Sequence, residues 1–228
     1  MYVHSIYVRK MGGDEMGLIK DAKSIARRDP AARNAFEVFC LYPGFHALIY
    51  HKISNAFYRA HLYFLARWVS QLASRRTGVE IHPAATIGEG LFIDHGKGIV
   101  IGETAVIGNN CTIYHQVTLG GTGKVKHCKR HPTVGDNVLI GAGAKVLGPV
   151  TIGNNAMIGA GSIVLDDVPA GATVTGVKAK VIKIDGTRVI PSVELNQRIE
   201  DDPFTKELAG MREEIERLKA QLTHKGDE

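Results

Sequence analysis

The feature that most constrains this chain is a six-residue repeat that runs from Ile81 to about Ala170. Each repeat opens with a branched apolar residue, and the second position is usually glycine. The opening residues are Ile81, Ile87, Ile93, Ile101, Ile107, Ile113, Leu119, Val134, Ile140, Val146, Ile152, Ile158 and Val164. A period this short, held in phase over some ninety residues, is typical of a parallel β-helix.

Each repeat would form one short flat face and one corner, and three faces would make one coil of a triangular prism. The branched residue would point inward and stack on its equivalents in neighbouring coils, because such residues suit a half-buried pleated surface. Glycine and asparagine supply the unusual backbone angles of corners. The repeats therefore predict a prism of a little over four coils, about 20 Å long.

Composition excludes several classes of protein. The three cysteines, Cys40, Cys111 and Cys128, are odd in number and widely spaced, which indicates a reducing compartment rather than a disulfide framework. No stretch approaches the roughly 20 apolar residues of a membrane span, so we expect a cytoplasmic protein without a membrane partner. The net charge of +5 is modest and not concentrated in one run, which argues against nucleic acid binding.

The chain before the repeat predicts an N-terminal helical domain of residues 1–78. Apolar residues recur there at helical spacing, and acids, prolines and glycines mark the ends of helices. The predicted helices run from Asp14 to about Arg28, from Asp29-Pro30 to about Leu41, from Pro43 onward, and from about Leu62 to Arg76. The predicted fold class is therefore mainly β, a parallel β-helix with an N-terminal α-helical domain and a C-terminal helix.

The predicted prism domain, residues 79–190, is interrupted between Leu119 and Val134. The segment 120–133 holds about nine residues more than one repeat needs, so it must bulge outside the coils. Long loops on a rigid scaffold often carry function. A basic cluster in this loop favours a small anionic ligand: Lys124, Lys126, Lys129 and Arg130.

Residues 191–228 predict a tail with one amphipathic helix. Its apolar residues alternate at spacings of four and three, as in a coiled-coil seam. They are Phe204, Leu208, Met211, Ile215, Leu218 and Leu222. A helix that lies on the protein's own surface explains the same pattern, so both interpretations stay open.

One histidine in the repeat region is a candidate for proton transfer. His95 follows Asp94 where the repeat is interrupted, and Glu80 lies fifteen residues upstream. Because one coil takes about eighteen residues, Glu80 and His95 could meet on neighbouring coils. A carboxylate beside an imidazole fixes its tautomer and raises its basicity, as a general base requires. A surface ion pair would show the same spacing.

Several motifs resemble those of serine acetyltransferases, in the same order along the chain. They are Arg28-Asp29-Pro30-Ala31, Pro43-Gly44-Phe45-His46-Ala47, Glu80-Ile-His-Pro-Ala, Ile93-Asp94-His95-Gly96, Val117-Thr-Leu-Gly-Gly-Thr-Gly-Lys124 and Lys129-Arg130-His131-Pro132. The resemblance covers about residues 27–185. It implies a left-handed parallel β-helix, an exception to the usual right-handed crossover, and homotrimers with active sites between neighbouring prisms.

The resemblance also implies a reaction, the transfer of the acetyl group of acetyl-CoA to the hydroxyl of L-serine in cysteine biosynthesis. His95 would be the general base, and the serine oxygen would attack the thioester directly, without an acyl-enzyme. Glu80 would orient His95, although many members of the family have aspartate there. Acetyl-CoA would be a co-substrate, and no metal is implied.

Substrate contacts are implied at positions that match the family's motifs. Asp29 and Asp94 would hold the substrate ammonium group, Arg130 would pair with its carboxylate, and His131 would touch the substrate or the developing oxyanion. Coenzyme A would contact Gly120, Gly121, Gly141, Ala142, Ala160, Lys178 and Lys180. The family usually has proline where this chain has Lys178, so that contact is the least well supported of the set.

Two aspects of assembly follow from the resemblance. Whether trimers pair into hexamers stays open. Members of the family insert their extreme C-terminus, often isoleucine, into the active site of O-acetylserine sulfhydrylase. This sequence ends Thr223-His-Lys-Gly-Asp-Glu228, without an apolar terminal side chain, so we expect that complex to be weak or absent and the tail to serve self-assembly.

Two other functions fit parts of the pattern. Another acyltransferase on the same prism, acting on a sugar or an antibiotic hydroxyl, would share His95 but should lack the paired Arg130-His131. A zinc lyase of the carbonic anhydrase kind would use histidines across a trimer interface, since imidazole is a common zinc ligand. The histidines that suggest it are His82, His95, His115 and His131.

Overall fold

Four helices lead into the repeat region in the computed structural model, which describes residues 14–123, 128–185, 187, 188 and 217. The helices within residues 14–78 are α1 (Asp14–Arg28), α2 (Ala35–Leu41), α3 (Pro43–Arg59) and α4 (Tyr63–Thr77). Helix α4 ends at Gly78, which takes a left-handed conformation with φ of 78° and donates its N–H to the carbonyl of Ser74. This glycine turns the chain from the helices into the first strand.

The strands that follow are short and lie at the positions that the repeat predicts. They are β1 (Val79–Ile81), β2 (Thr86–Ile87), β3 (Phe92–Ile93), β4 (Ile99–Ile101), β5 (Val106–Ile107), β6 (Thr112–Ile113), β7 (Thr118–Gly120), β8 (Thr133–Val134), β9 (Leu139–Ile140), β10 (Lys145–Leu147), β11 (Thr151–Ile152), β12 (Met157–Ile158), β13 (Ile163–Val164), β14 (Ala172–Thr175), β15 (Lys180–Ile184) and β16 (Thr187–Arg188).

Every third strand pairs in parallel, which builds three faces. The first face has the order β1-β4-β7-β10-β13, the second β2-β5-β8-β11, and the third β3-β6-β9-β12-β14. Strands β15 and β16 extend the third face in the antiparallel direction. The chain thus winds from the first face to the second, to the third and back to the first, and the predicted parallel β-helix is confirmed.

The residues that open the repeats form the core of the prism. In register, Ile101 lies between Ile81 and Leu119 on the first face, and the other two faces stack in the same way. Twelve of the thirteen opening residues are at most 4% exposed. The exception, Ile87, lies on an edge strand and has a stacked partner, Ile107, on one side only. Truncating one such buried residue to alanine would cost about 2–5 kcal/mol.

Helix α2 begins later than the sequence predicts. Asp29-Pro30 opens a turn instead, because the Oδ1 atom of Asp29 accepts the backbone N–H of Ala31 at 2.8 Å. The helix is capped by Asn34, whose Oδ1 accepts the N–H of Glu37 at 2.9 Å. The prediction that a helix starts at Asp29-Pro30 is therefore wrong. The turn leaves Asp29 outside the helix.

Helices α3 and α4 cover the first coil of the prism. Ser70 on α4 donates its hydroxyl to the carbonyl of Ile81 at 2.7 Å, and Ala47 and Leu48 on α3 belong to the same buried apolar cluster as the prism core. This packing protects the otherwise open edge of β1. Residues 1–188 form one compact unit and 189–228 a second, so a separate domain boundary at 78 stays a prediction.

The predicted seam of the tail, residues 204–222, lies outside the described residues except for one position. No described helix is both long and apolar enough to cross a membrane.

Candidate active site

Most of the predicted site residues lie at two different corners of the prism. We call the corner where the chain passes from the third face to the first the base corner; it comprises residues 94–98, 114–117, 141–144 and 159–162. We call the corner from the first face to the second the loop corner; it comprises residues 82–85, 102–105, 121–132 and 148–150. The first face separates the two corners.

His95 projects from the base corner into solvent. Its backbone has a φ of 55°, and its side chain is 81% exposed. The Nε2 atom of His95 lies 3.7 Å from Oδ1 of Asp94, and the ring of His115, one coil further along, lies 6.4 Å away between centroids. An exposed imidazole beside a carboxylate is a suitable acceptor for a proton from a bound ligand.

A close packing of α3 on β3 brings the N-terminal region to the base corner. A Cβ atom on Gly44 would lie 2.8 Å from the Cβ of Ile93, so only glycine allows the first turn of α3 to lie directly on β3. Asp94 follows Ile93, and Tyr42 immediately precedes α3. The start of α3 and the Asp94-His95 motif are thus adjacent.

Tyr42 connects this helix start to Asp29. Its hydroxyl donates to Oδ2 of Asp29 at 2.6 Å. Burial raises the pKa of Tyr42 to about 12, helped by the hydrogen bond to Asp29 and by the charges of Asp29, Glu37 and Asp94. Tyr42 therefore stays protonated and donates at neutral pH. The charges of Asp29 and Asp94 both act on the hydroxyl of Tyr42, and the predicted role of the two aspartates as ammonium ligands stays a prediction.

Glu80 lies on β1 between two buried residues, and its own side chain is partly exposed. Its backbone pairs in register with Val100 on β4. No hydrogen bond or ion pair joins Glu80 to His95 within the described residues, where the carboxylate next to His95 is that of Asp94. The role of Glu80 in orienting His95 stays a prediction.

The loop corner holds Arg130 and His131 in a network centred on Thr104. The hydroxyl oxygen of Thr104 accepts the backbone N–H groups of both residues at 3.1 Å and lies 2.9 Å from Nδ1 of His131. The Nη2 atom of Arg130 lies 3.3 Å from Oε2 of Glu103. Lys129 donates to the carbonyls of Thr104 and Pro132, which fixes the end of the loop.

His131 is only 7% exposed, unlike His95. Burial lowers the pKa of His131, and the charges of Arg130 and Lys129 lower it further, against a smaller raising effect of Glu103. His131 is therefore neutral near pH 7. A neutral imidazole in this position can donate or accept a hydrogen bond but carries no charge of its own.

Four of the seven residues predicted to contact coenzyme A, Gly121, Gly141, Ala142 and Ala160, lie at the two corners. Ala142 and Ala160 continue the base corner beyond His115, since Gly143 donates to the carbonyl of His115 and Gly161 to that of Ala142. A Cβ atom on Gly161 would contact nothing within 4 Å, so this side of the corner is open.

The remaining coenzyme A candidates have other surroundings. A Cβ atom on Gly141 would lie 2.6 Å from the backbone N of Ala160, so the packing of coils already requires this glycine. Gly120 and Gly121 lie at the end of β7 and at the loop corner, and Gly121 faces His131. Lys178 is exposed in the turn after β14, with a φ of 58°. The side chain of Lys180 lies outside the described part of the chain.

Three residues of these two networks were missed from the sequence: Tyr42, Glu103 and Thr104. The contact between Thr104 and His131 joins residues 27 positions apart, and the contact between Tyr42 and Asp29 joins residues 13 apart. Neither separation matches the helical or the coil period. A possible signal was the capping pair Asn34 and Glu37, which sets where α2 begins and hence where Asp29 lies.

Two of the four histidines that suggested a zinc site are engaged in other hydrogen bonds. His82 accepts the backbone N–H of Ala84 at 3.1 Å through its Nδ1 atom, and His131 bonds Thr104. Among the described residues, no group of three or more histidine, cysteine, aspartate or glutamate side chains could hold a metal ion.

The repeats and the fold define the class of protein. Residues 131–166 match the family model described as bacterial transferase hexapeptide (six repeats). A serine acetyltransferase of Helicobacter pylori (strain J99) is 57% identical over 161 residues, which cover 71% of this chain and 94% of the relative. One of Bacillus pumilus is 50% identical over 205 residues, 90% of this chain and 93% of the relative. The chain therefore belongs to the serine acetyltransferase family of acetyl-CoA-dependent acyltransferases.

Solved structures agree with this assignment. The crystal structure of Neisseria gonorrhoeae serine acetyltransferase in complex with serine has a TM-score of 0.70 and 47% identity, and the match covers 72% of this chain and 67% of that one. The Brucella abortus enzyme in complex with coenzyme A has a TM-score of 0.72 and 42% identity, with 74% and 67% covered.

Proposed function

We propose that this chain transfers the acetyl group of acetyl-CoA to the hydroxyl of L-serine, with His95 as the general base. The observation that carries the proposal is the base corner itself. It presents an exposed imidazole next to Asp94, while Tyr42, whose hydroxyl bonds Asp29, is also influenced by the charge of Asp94. A carboxylate next to an imidazole suits a substrate that carries an ammonium group close to the reacting hydroxyl.

In the proposed reaction, His95 takes the proton from the serine hydroxyl as its oxygen attacks the thioester carbonyl carbon. The carbonyl electrons move onto oxygen in a tetrahedral intermediate. When that intermediate collapses, the carbon–sulfur bond breaks, and the imidazolium returns the proton to the leaving thiolate. The products are O-acetyl-L-serine and CoA. No acyl-enzyme forms, so one histidine serves both proton transfers.

The loop corner would supply the complementary half of the site. Arg130 has the planar guanidinium that pairs with carboxylates, and its contact to Glu103 leaves other N–H groups free to donate. His131 lies next to it, neutral at pH 7 because of its lowered pKa. Together they suit the serine carboxylate and the oxygen that becomes negative in the intermediate.

We further propose that the complete site forms between two copies of the chain in a homotrimer. Within one prism, the base corner and the loop corner lie at opposite edges of the first face. A ring of three prisms would place the base corner of one copy against the loop corner of the next, because a head-to-tail contact related by a threefold axis closes on itself. The cleft would then contain His95 from one copy and Arg130 from the other.

Acetyl-CoA would lie along this cleft. The open side of Gly161, and the small residues Ala142 and Ala160 beyond His115, leave room for the pantetheine arm along the base corner. Gly121 on the loop corner faces His131. The related Neisseria and Brucella enzymes have been crystallised with serine and with coenzyme A, which supports both ligands here.

A thiol-release assay with acetyl-CoA tests the proposed acceptor. Purified protein is offered a panel of L-serine, D-serine, L-threonine, hexoses and an aminoglycoside, and free CoA is measured. We expect rapid release with L-serine and slow release with the others, and no serine-dependent release from a His95→Ala control. A sugar or an antibiotic as the preferred acceptor would contradict the proposal.

A further inference from the structure

Thr104 makes an unusually complete set of hydrogen bonds for one hydroxyl. A threonine hydroxyl has one hydrogen to donate and two lone pairs that accept. Its oxygen accepts the backbone N–H of Arg130 and of His131, each at 3.1 Å. Both lone pairs are thus used, and the single hydrogen is left for the third neighbour, Nδ1 of His131 at 2.9 Å.

A second donor from the same residue reaches the same nitrogen. The backbone N–H of Thr104 donates to Nδ1 of His131 at 3.2 Å. A nitrogen that accepts two hydrogen bonds cannot carry a proton there, so the proton of the neutral imidazole lies on Nε2. The neutral state itself agrees with the lowered pKa of His131, caused by burial and by Arg130.

The imidazole ring of His131 packs against two glycines through its Nε2 side. A Cβ atom on Gly102 would overlap the imidazole ring, and one on Gly121 would lie 2.9 Å from Nε2. Neither glycine has the positive φ that favours glycine for backbone reasons. The missing side chains therefore make room for the ring of His131 in the orientation that Thr104 holds.

We propose that Thr104 is a positioning residue that locks His131 in the Nε2-protonated tautomer, so that His131 acts only as a hydrogen-bond donor toward a negatively charged oxygen in the site. The inference rests on the proposed function for the identity of that oxygen, the substrate carboxylate or the oxyanion of the intermediate. According to this proposal, the two histidines have different roles in the reaction. His95 accepts the proton, and His131 donates a hydrogen bond without exchanging its own proton.

The tautomer can be measured without any substrate. In long-range ¹H–¹⁵N correlation spectra of histidine-labelled wild-type protein at pH 8, the His131 signals are identified by their loss in His131→Gln. We expect an acceptor-type Nδ1 and a protonated Nε2. A protonated Nδ1, or an average of the two tautomers, would overturn the proposal whatever the acceptor of the acetyl group is.

Steady-state kinetics of Thr104 variants test whether the fixed tautomer of His131 affects the reaction. Thr104→Val keeps the shape but removes the hydroxyl, and Thr104→Ser keeps the hydroxyl. We expect kcat/KM for serine to fall about 10-fold or more in the valine variant and to stay within about 3-fold in the serine variant, because valine removes all three hydrogen bonds of the hydroxyl and serine can keep them. Thr151→Val, at an exposed position on β11, is the matched control and should match wild type.

The outcomes separate this inference from the proposed function. Equal losses in Thr104→Val and Thr104→Ser, or no loss in either, would overturn the role of Thr104. Wild-type protein that releases no CoA with serine would instead overturn the proposed acceptor. The variants are then compared with the acceptor that the panel identifies, and the tautomer measurement still decides the state of His131.

Discussion

The base corner and the loop corner carry similar chemical groups but hold them in opposite ways. At the base corner, the His95 side chain is 81% exposed, and its contact to Asp94 is long, at 3.7 Å. At the loop corner, His131 is 7% exposed and its Nδ1 atom accepts two hydrogen bonds from Thr104. One imidazole is free to rotate and exchange protons, whereas the other is fixed.

This difference fits the separate tasks that we propose for the two corners. A general base has to receive a proton and release it again in each turnover, so a rigid, saturated hydrogen-bond network would oppose it. A donor to a developing negative charge works best when it is already oriented, because then no reorganisation is needed during the reaction. The fixed imidazole, that of His131, lies on the long loop. Hydrogen bonds of Thr104 and Lys129 attach the end of this loop to the prism.

Loss of the imidazole at the base corner should have the largest effect. We expect His95→Ala to lower kcat by about 100-fold or more, the usual scale for a lost general base. Its Tm should stay unchanged because the side chain is exposed. His61→Ala, at another exposed histidine with a positive φ of 60°, is the control. Near wild-type turnover in His95→Ala would refute the mechanism.

At the loop corner, the geometry of the cation should matter more than its charge. We expect Arg130→Lys to raise the KM for serine about 10-fold, as for one lost charge-assisted hydrogen bond, because lysine cannot reproduce the guanidinium fork. The KM for acetyl-CoA should not change. Arg75→Lys, exposed on α4, controls for the substitution. If only the KM for acetyl-CoA changed, the assignment of Arg130 to the serine carboxylate would be wrong.

A variant of Tyr42 tests whether a hydrogen bond holds Asp29 in position near the base corner. Tyr42→Phe removes the hydrogen bond to Asp29 and should raise the KM for serine about 3-fold, the scale of one net hydrogen bond. The kcat should change less than the KM. Tyr50→Phe loses a comparable bond, from Arg76 at 2.7 Å, which does not involve Asp29, and should leave the KM unchanged. Equal behaviour of the two variants would show that Tyr42 does not position Asp29.

The smallest expected effect concerns charge within the loop corner. Arg130 lowers the pKa of His131 and Glu103 raises it. Arg130→Gln should therefore raise the pKa of His131 toward its ordinary value, and Glu103→Gln should lower it further. An NMR titration of the His131 ring in both variants measures the two shifts. Shifts of the same sign would show that the network rearranges when one charge is removed.

The sequence predicted the prism well because one residue in six decides its core. Twelve of the thirteen opening residues, such as Ile113 and Ile140, are buried, so the period alone sets the strands and their register. The start of α2 was mispredicted, because the acid of Asp29 bonds its own turn instead of capping a helix. The spacing of apolar residues does not show whether the Asp29 side chain caps a helix or accepts a hydrogen bond within its own turn.

The candidate site could be predicted only in part, for a related physical reason. The motifs that resemble those of the family identified His95, Asp94, Arg130 and His131 as candidates. Thr104 was not predicted from the sequence, because its contact to His131 depends on the path by which the loop returns to the prism. The division of the site between two corners also depends on the winding of the coils, which the motifs do not contain.

The central claim is that a complete site combines the base corner of one copy with the loop corner of another. Two inactive variants test it directly: His95→Ala and Arg130→Ala are unfolded and refolded together, and mass spectrometry verifies mixed trimers. With random mixing, about one cleft in four should contain both intact residues, so about a quarter of wild-type kcat/KM should return. No gain over the separate variants, despite mixed trimers, would place both residues of a site in the same chain and contradict the account.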